Sequence, residues 1–132
     1  MASLNFGPGV WSEDMEKYPH DEYHFTFFGY PCRILRQEFG HYCGYVTLPE
    51  NHPCYNCSEE AIADIEVHGG ITSHGKKTLG FDCAHAGDMM PSMALFAPAL
   101  LSMYPHHYWT FEEVKEELKS FALQLKKKEE NH

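Results

Sequence analysis

Hydrophobic positions recur along this chain with two different periods, and the clearer one lies near the C-terminal end. Four apolar residues are spaced by four, three and four positions, which is the spacing of one face of an amphipathic helix. Thr110 and Glu113 form a capping box at its start, and the lysines at 126–128 suit the negative end of the helix dipole. The pattern predicts a helix over residues 110–128. Its apolar stripe is Val114, Leu118, Phe121 and Leu125.

Three short apolar runs separated by turn residues precede this helix. Residues 23–28, 32–37 and 42–48 are rich in aromatic and β-branched residues, with Gly29 and Pro31 between the first two and Pro49 after the third. Such runs indicate strands, and their tight connections favour an antiparallel meander.

A second period begins at Ala63, where apolar and acidic residues alternate as far as Val67. Alternation of this kind is typical of a half-buried strand. We expect the chain to bulge at Gly69-Gly70 and to return, so that residues 64–81 form an irregular hairpin with His68 and Asp82 near each other at one end.

These elements together predict an α+β fold, in which a small antiparallel sheet with an irregular hairpin carries a long C-terminal amphipathic helix. A length of 132 residues favours a single domain over residues 1–132,. Residues 1–20 lack a sustained period and are expected to form an irregular arm. Residues 89–109 are apolar but interrupted by prolines, so we expect a loop with one short helix.

Composition narrows the classes of partner. The net charge is −9, with 19 acidic and 10 basic residues, which argues against general nucleic-acid binding because Lys and Arg supply most of that affinity. No apolar run is long enough for a membrane span. The five cysteines and the start of the chain, which lacks the features of a signal peptide, favour reduced thiols in a cytosol.

The stretch His68–Asp88 concentrates the residues with the most chemistry. It contains three His, two Asp, one Cys and five Gly. Gly69 and Gly70 permit positive φ and the close approach of another group, so they predict either a cradle of N–H groups for an anion or a bulge without a ligand. The candidate ligand-binding residues of the stretch and its surroundings are Tyr45, His68, Gly69, Gly70, Thr72, Phe81, Asp82, His85 and Asp88.

His68, Asp82, His85 and Asp88 allow three interpretations. They could hold a divalent metal, although the binding of a ligand would not require a cofactor. They could instead form hydrogen bonds to the sugar and base of a polar ligand, or they could satisfy one another, with Asp82 capping the following turn. We expect an adjacent aromatic ring, Tyr45 or Phe81, to stack on a bound base.

The cysteines carry weaker signals. Cys83 lies next to an acidic residue and near His85, but a small buried thiol is the commoner role for such a residue than that of a nucleophile. Cys54 and Cys57 form a C-x-x-C, and His52 could add a third zinc ligand, although no second pair with the usual spacing is present,.

Several motifs within residues 42–125 resemble a family of small, largely uncharacterised bacteriophage and prophage proteins. They are G-Y-V at 44–46, H-P at 52–53, H-G-G-I-T at 68–72, G-F-D-C-A-H-A-G-D at 80–88 and V-K-x-E-L at 114–118. Ser73 stands where an aromatic residue is usual, and residues 76–79 and 91–105 look individual to this chain. The resemblance implies a phage-encoded accessory protein in the host cytosol, and it transfers no catalytic residue.

Three functions compete at this point. The first is sequestration of a small nucleotide-derived signalling molecule by a homo-oligomer that counters host defence, a context in which phage accessory proteins often act. The second is a metal-dependent hydrolase using the same His and Asp residues. The third is an inhibitor that binds a host protein through its acidic surface and residues 89–109. We expect binding rather than catalysis.

Overall fold

A computed structural model describes residues 6–103 and 106–131. Its centre is a sheet of five antiparallel strands in the order β1-β2-β3-β5-β4. The first three strands form the predicted meander. The strands are β1 (Glu22–Phe27), β2 (Tyr30–Arg36), β3 (Tyr42–Thr47), β4 (Ser73–His74) and β5 (Thr78–Asp82).

One long helix, α4 (Phe111–Glu130), covers one face of the sheet. Its capping box is present, since the Thr110 hydroxyl accepts from the Glu113 N–H and the Glu113 carboxylate accepts from the Thr110 N–H. The apolar stripe faces the sheet, where Phe121 meets the Phe81 ring of β5 at a centroid distance of 6.2 Å. All four residues of the stripe are 0% exposed. The predicted α+β fold is confirmed.

Three shorter helices flank this unit. α1 (Ser12–Lys17) lies inside the segment that the sequence predicted to be irregular, and it follows the buried Trp11. α2 (Met93–Phe96) and α3 (Pro98–Met103) occupy the proline-interrupted segment, for which one helix was expected. The expectation of one helix was wrong because Pro98 starts a second helix rather than only ending the first, a position where the missing N–H of proline costs nothing.

The strand predicted over residues 63–67 is absent, and the hairpin is limited to β4 and β5. A short 3₁₀ helix (Glu59–Ile62) ends immediately before this segment. The Ile65 N–H then donates to the Ile62 carbonyl, and the side chains of both isoleucines face the core. The Gln124 side chain of α4 accepts from the Glu66 N–H and donates to the Glu66 carbonyl, at 2.8 and 2.7 Å. A side chain of α4 therefore occupies the backbone groups that a neighbouring strand would have paired.

A buried ion pair joins α1, the sheet and α4. Asp14 of α1 and Arg36 of β2 are 3.4 Å apart, with side chains 8% and 5% exposed. The Asp14 carboxylate also accepts from the Tyr42 hydroxyl at 2.8 Å, the Tyr108 hydroxyl at 2.5 Å and the Phe111 N–H at 3.0 Å. Burial is the main reason that the pKa values of both tyrosines are raised, so both remain hydrogen-bond donors at neutral pH.

No helix within residues 6–103 and 106–131 combines the length and the apolar character that crossing a membrane requires.

Removing the cation of this pair is expected to destabilise the protein strongly. Arg36→Ala leaves the Asp14 carboxylate buried without its charge partner, a change that costs about 3–5 kcal/mol in comparable buried pairs. Urea denaturation at pH 7 measures the free energy of unfolding. Arg33→Ala is the control, because Arg33 lies on the same strand but stacks on Tyr45 on the other face of the sheet, where such a contact contributes about 0.5–1 kcal/mol. Equal losses in the two variants would show that the buried pair is not a special source of stability.

Candidate functional site

His68 and Asp88 form a closely paired dyad beyond the end of β5. His68 Nε2 lies 2.9 and 2.8 Å from the two Asp88 carboxylate oxygens. The Asp88 side chain is 4% exposed and that of His68 is 22% exposed. The buried carboxylate therefore fixes the orientation of an imidazole that still reaches solvent.

The loop before β4 and the turn after β5 hold the two members of the dyad in place. Asp88 lies in a turn closed by its own N–H to the His85 carbonyl, and its carboxylate accepts from the His85 N–H at 2.9 Å. The His68 N–H donates to the Glu117 carboxylate of α4 at 2.6 Å. The dyad is thus anchored to the sheet on one side and to the long helix on the other.

Trp109 covers one face of the His68 ring. The ring centroids are 4.2 Å apart and the planes are inclined by 34°. Trp109 is itself only partly buried, and it lies in the extended segment that pairs with the dyad turn, where Asp88 and His107 form a bridge. An aromatic surface next to a fixed, partly exposed imidazole is an arrangement on which a flat ligand can stack.

His85 lies directly beneath Gly69. A Cβ added at Gly69 would be 2.0 Å from His85 Nε2, and Gly69 and Gly70 have φ values of 69° and 80°. The positive φ predicted for this pair is therefore present, and at Gly69 the group that approaches closely is His85. The role of Gly69 here is to let the loop cross an imidazole.

Asp82 connects the site to the end of β5. Its carboxylate accepts from the Ala84 N–H at 3.1 Å, which is the turn cap that one interpretation of the sequence predicted. The same oxygen is 3.1 Å from His85 Nε2, an ion-pair distance without hydrogen-bond geometry. His85 Nε2 therefore lacks a hydrogen-bond partner among the described residues. The same is true of a second buried imidazole nitrogen, His41 Nδ1.

His41 belongs to the same neighbourhood. Burial lowers its pKa, while the charges of Asp82 and Asp88 act in the opposite direction and that of Arg36 adds to the lowering. Because burial dominates, His41 is neutral at pH 7. No local pattern marks His41 as part of this neighbourhood, since it precedes β3 and is far from His85 along the chain.

The structure brings five of the predicted residues together: His68, Gly69, Asp82, His85 and Asp88. Four others lie elsewhere. Phe81 is 1% exposed in the core, so it cannot stack on a ligand. Tyr45 lies over Gly80 and against Arg33; its face of the sheet also carries Asp82, two positions after Gly80, but the ring packs on these strands rather than on the dyad. Thr72 donates its N–H to the Gly80 carbonyl, and Gly70 lines a separate cleft of about 320 Å³ with Ile71 and His74.

Cys83 is not arranged as a nucleophile. It is 1% exposed, and burial together with the nearby charge of Asp88 raises its pKa. An attacking cysteine needs the opposite, because the thiolate is the reactive form. Cys83 is therefore a core residue, the commoner role that the sequence analysis expected for a small thiol here.

The C-x-x-C does not form a site with His52. His52 Nε2 is 2.8 Å from the Leu125 carbonyl, and Nδ1 accepts from the Cys54 N–H at 2.9 Å, so both nitrogens are engaged. The neighbour of Cys57 is instead His74 of β4. Within residues 6–103 and 106–131, no group of three or more His, Cys, Asp or Glu is arranged to hold a metal ion.

Four carboxylates lie in or beside the dyad and its surroundings. Asp82 and Asp88 lie within the cluster, Glu117 accepts from the His68 N–H, and Glu113 lies 2.8 Å from His107 Nε2. Coulombic repulsion from these carboxylates disfavours a phosphate placed against the dyad. The electrostatics instead favour a neutral or cationic group that donates hydrogen bonds.

Two contributors to the site were missed by the sequence reasoning. They are Trp109 and Glu117, and neither is among the candidate residues that the sequence singles out. The spacing of Glu113 and Glu117 on one face of α4 was the available signal, but nothing local indicated which loop that face meets.

Comparison with protein families, curated proteins and solved structures finds no match to this chain.

The contact between Gly69 and His85 predicts different costs for two neighbouring substitutions. Gly69→Ala and Gly70→Ala both place a side chain at positive φ, which costs roughly 1–2 kcal/mol. Only Gly69→Ala also meets a neighbouring side chain, since a Cβ at Gly70 has nothing within 4 Å. Gly69→Ala should therefore lose about 1–3 kcal/mol more stability in urea denaturation, a typical cost of overpacking. Similar losses in the two variants would contradict the close approach.

Proposed function

We propose that this protein binds a small nucleoside-type molecule at the His68–Asp88 dyad and holds it without turnover. The observation that carries the proposal is the partly exposed Trp109–His68 stack, oriented by a buried carboxylate. An imidazole fixed in this way loses little side-chain entropy when a ligand binds, so more of the contact energy is retained as affinity.

The base and sugar of the ligand are the parts that suit this site. Stacking of a base on an aromatic side chain contributes about 1–3 kcal/mol and tolerates any base. The Asp82 side chain is 30% exposed, so its carboxylate can accept from a ribose hydroxyl or an exocyclic amine. His85 Nε2 is buried beneath Gly69 and lies 3.1 Å from this carboxylate, so it supports Asp82 from behind and leaves the exposed carboxylate oxygen to the ligand.

A phosphate would have to lie away from the acidic cluster. The exposed Gly69-Gly70 turn offers little to an anion, because the Gly70 N–H already donates to the Val67 carbonyl at 2.8 Å and Gly69 lies over His85 within the cluster. A nucleotide would therefore place its base at the Trp109–His68 stack and direct its phosphate outward into solvent. A nucleoside lacking the phosphate should keep most of its affinity.

Two observations support binding over turnover. The Cys83 thiol is buried and its pKa is raised, so it offers no thiolate. The metal-dependent alternative lacks a preformed group of three ligands among the described residues. His68 with Asp88 could serve as a general base, and recovery of the ligand intact distinguishes the two roles.

The resemblance to small phage proteins places this binding in a context. A phage-encoded accessory protein that sequesters a nucleotide-derived signal would counter a host defence that depends on it. This proposal of a counter-defence role rests on the motifs at 68–72 and 80–88 and on their convergence at one site.

Calorimetry with adenosine, AMP, ADP-ribose and a cyclic dinucleotide tests the binding. We expect at least one of them to bind and to be recovered unchanged after the protein is denatured. Trp109→Leu should weaken that binding by about tenfold or more because the stacking surface is lost. His68→Gln should weaken it as well, since an amide can replace the bond to Asp88 but not the ring.

His24→Gln is the control for these variants, because His24 is exposed on β1 and its replacement should leave the affinity unchanged. Failure of the wild-type protein to bind any of the four compounds would overturn the proposal. Conversion of a bound compound during the measurement would replace binding with catalysis by the dyad.

We further propose that two copies associate through α2 and α3. Leu95, Phe96 and Met103 are 50%, 72% and 73% exposed, and residues 89–111 contain no Asp, Glu, Lys or Arg. Each copy carries a net charge of −9, so an uncharged surface is where two copies approach with least repulsion. This surface fits the homo-oligomer expected from the sequence.

Sedimentation velocity over a range of protein concentrations measures this association. Phe96→Ser should raise the dissociation constant of the dimer by about tenfold or more, as the loss of a central aromatic contact does in other interfaces. Leu123→Ser, which changes an exposed residue of α4, should have no such effect. A wild-type protein that remains monomeric at all concentrations would rule out the interface.

A further inference from the structure

Cys54 and Cys57 lie in a loop that is fixed at both ends, away from the dyad. His52 links its start to the Leu125 carbonyl near the C-terminal end of α4, at 2.8 Å. The Asn56 N–H donates to the Lys76 carbonyl at 2.6 Å, which ties the loop to the turn between β4 and β5. The separation of the two cysteines is therefore set by the fold.

The two thiols are direct neighbours with unequal access to solvent. Only two residues separate Cys54 from Cys57, and the Cys57 side chain is close enough to help raise the pKa of the Cys54 thiol. Cys54 is 3% exposed, and burial raises its pKa to about 11. Cys57 is only partly buried. A reagent in solution therefore reaches the Cys57 thiol more readily than the buried Cys54 thiol.

His74 of β4 stands beside the accessible thiol, with its Nε2 3.8 Å from the Cys57 sulfur. This contact is between a loop and a strand separated by 17 positions in the chain, and His74 is exposed. An imidazole at this distance can take up the thiol proton, which generates the thiolate that reacts in disulfide exchange.

We propose that Cys54 and Cys57 form a reversible redox pair, in which Cys57 attacks first, His74 is its base and Cys54 resolves the intermediate. The three other cysteines serve as internal references. Cys32, Cys43 and Cys83 are 3%, 7% and 1% exposed on the strands and in the core, so they should stay unmodified in the folded protein.

The oxidant is a low-molecular-weight disulfide. The Cys57 thiol gives its proton to His74, and the thiolate attacks one sulfur of the oxidant, breaking its S–S bond and releasing one small thiolate that takes up a proton. Cys54 then loses its proton and attacks the Cys57 sulfur of the mixed disulfide, releasing the second small thiol. Two protein thiols are oxidised to one disulfide and the oxidant is reduced to two thiols.

Incubation of the full-length protein with glutathione disulfide, followed by mass spectrometry of the intact chain and of its peptides, tests this assignment. The wild-type protein should lose two hydrogens and yield a Cys54–Cys57 linked peptide that dithiothreitol reverses. Cys54→Ser should accumulate a mixed disulfide at Cys57. Cys57→Ser should gain little adduct, because Cys54 is buried.

The role of His74 has a readout of its own. His74→Gln should slow modification of Cys57 at pH 7 by about tenfold or more, because the amide cannot take up the thiol proton as a general base does. The difference should disappear above about pH 9, where free thiols ionise without help. A uniform slowing at every pH, or equal rates throughout, would overturn the role of base. Absence of the linked peptide in the wild-type protein, or faster reaction of Cys32, Cys43 or Cys83, would overturn the redox pair itself.

Discussion

The buried pair of Asp14 and Arg36 is the interaction on which the arrangement of the other elements depends. One carboxylate accepts hydrogen bonds from residues of β2, β3, the segment before α4 and the first N–H of α4 itself. A charge so far from solvent is tolerated only when its partners are in place. These bonds therefore fix α1, the adjoining ends of β2 and β3, and the start of α4 relative to one another.

The buried Asp14–Arg36 pair also positions the candidate site, through the extended segment that contains Tyr108. Tyr108 directs its hydroxyl to Asp14, whereas His107 and Trp109 on either side lie with the dyad. Successive side chains of an extended chain point in opposite directions, so anchoring Tyr108 directs Trp109 toward His68. A loss of the buried pair should disturb the stacking surface as well as the stability of the fold.

The dense stretch from His68 to Asp88 combines residues of two kinds. Asp88 and Gly69 serve the construction of the site, one as the carboxylate that orients His68 and the other as the point where the loop crosses His85. Asp82, His68 and Trp109 retain exposed surface and are the groups that a ligand can reach. The density of polar residues in this stretch predicted that they would lie together, but it did not separate these two roles.

The sequence by itself determined the features that depend on neighbours along the chain. The period of Val114 to Leu125, the capping box at Thr110 and the turns between the first three strands are local, and each was predictable for that reason. The tertiary structure decided what depends on docking. Gln124 replaced a strand partner at Glu66, Trp109 rather than Phe81 or Tyr45 supplied the aromatic surface, and His74 rather than His52 came to lie beside the C-x-x-C. These contacts join residues far apart in the chain, and their geometry is set by how α4 and the loops pack on the sheet, which periodicity and spacing do not encode.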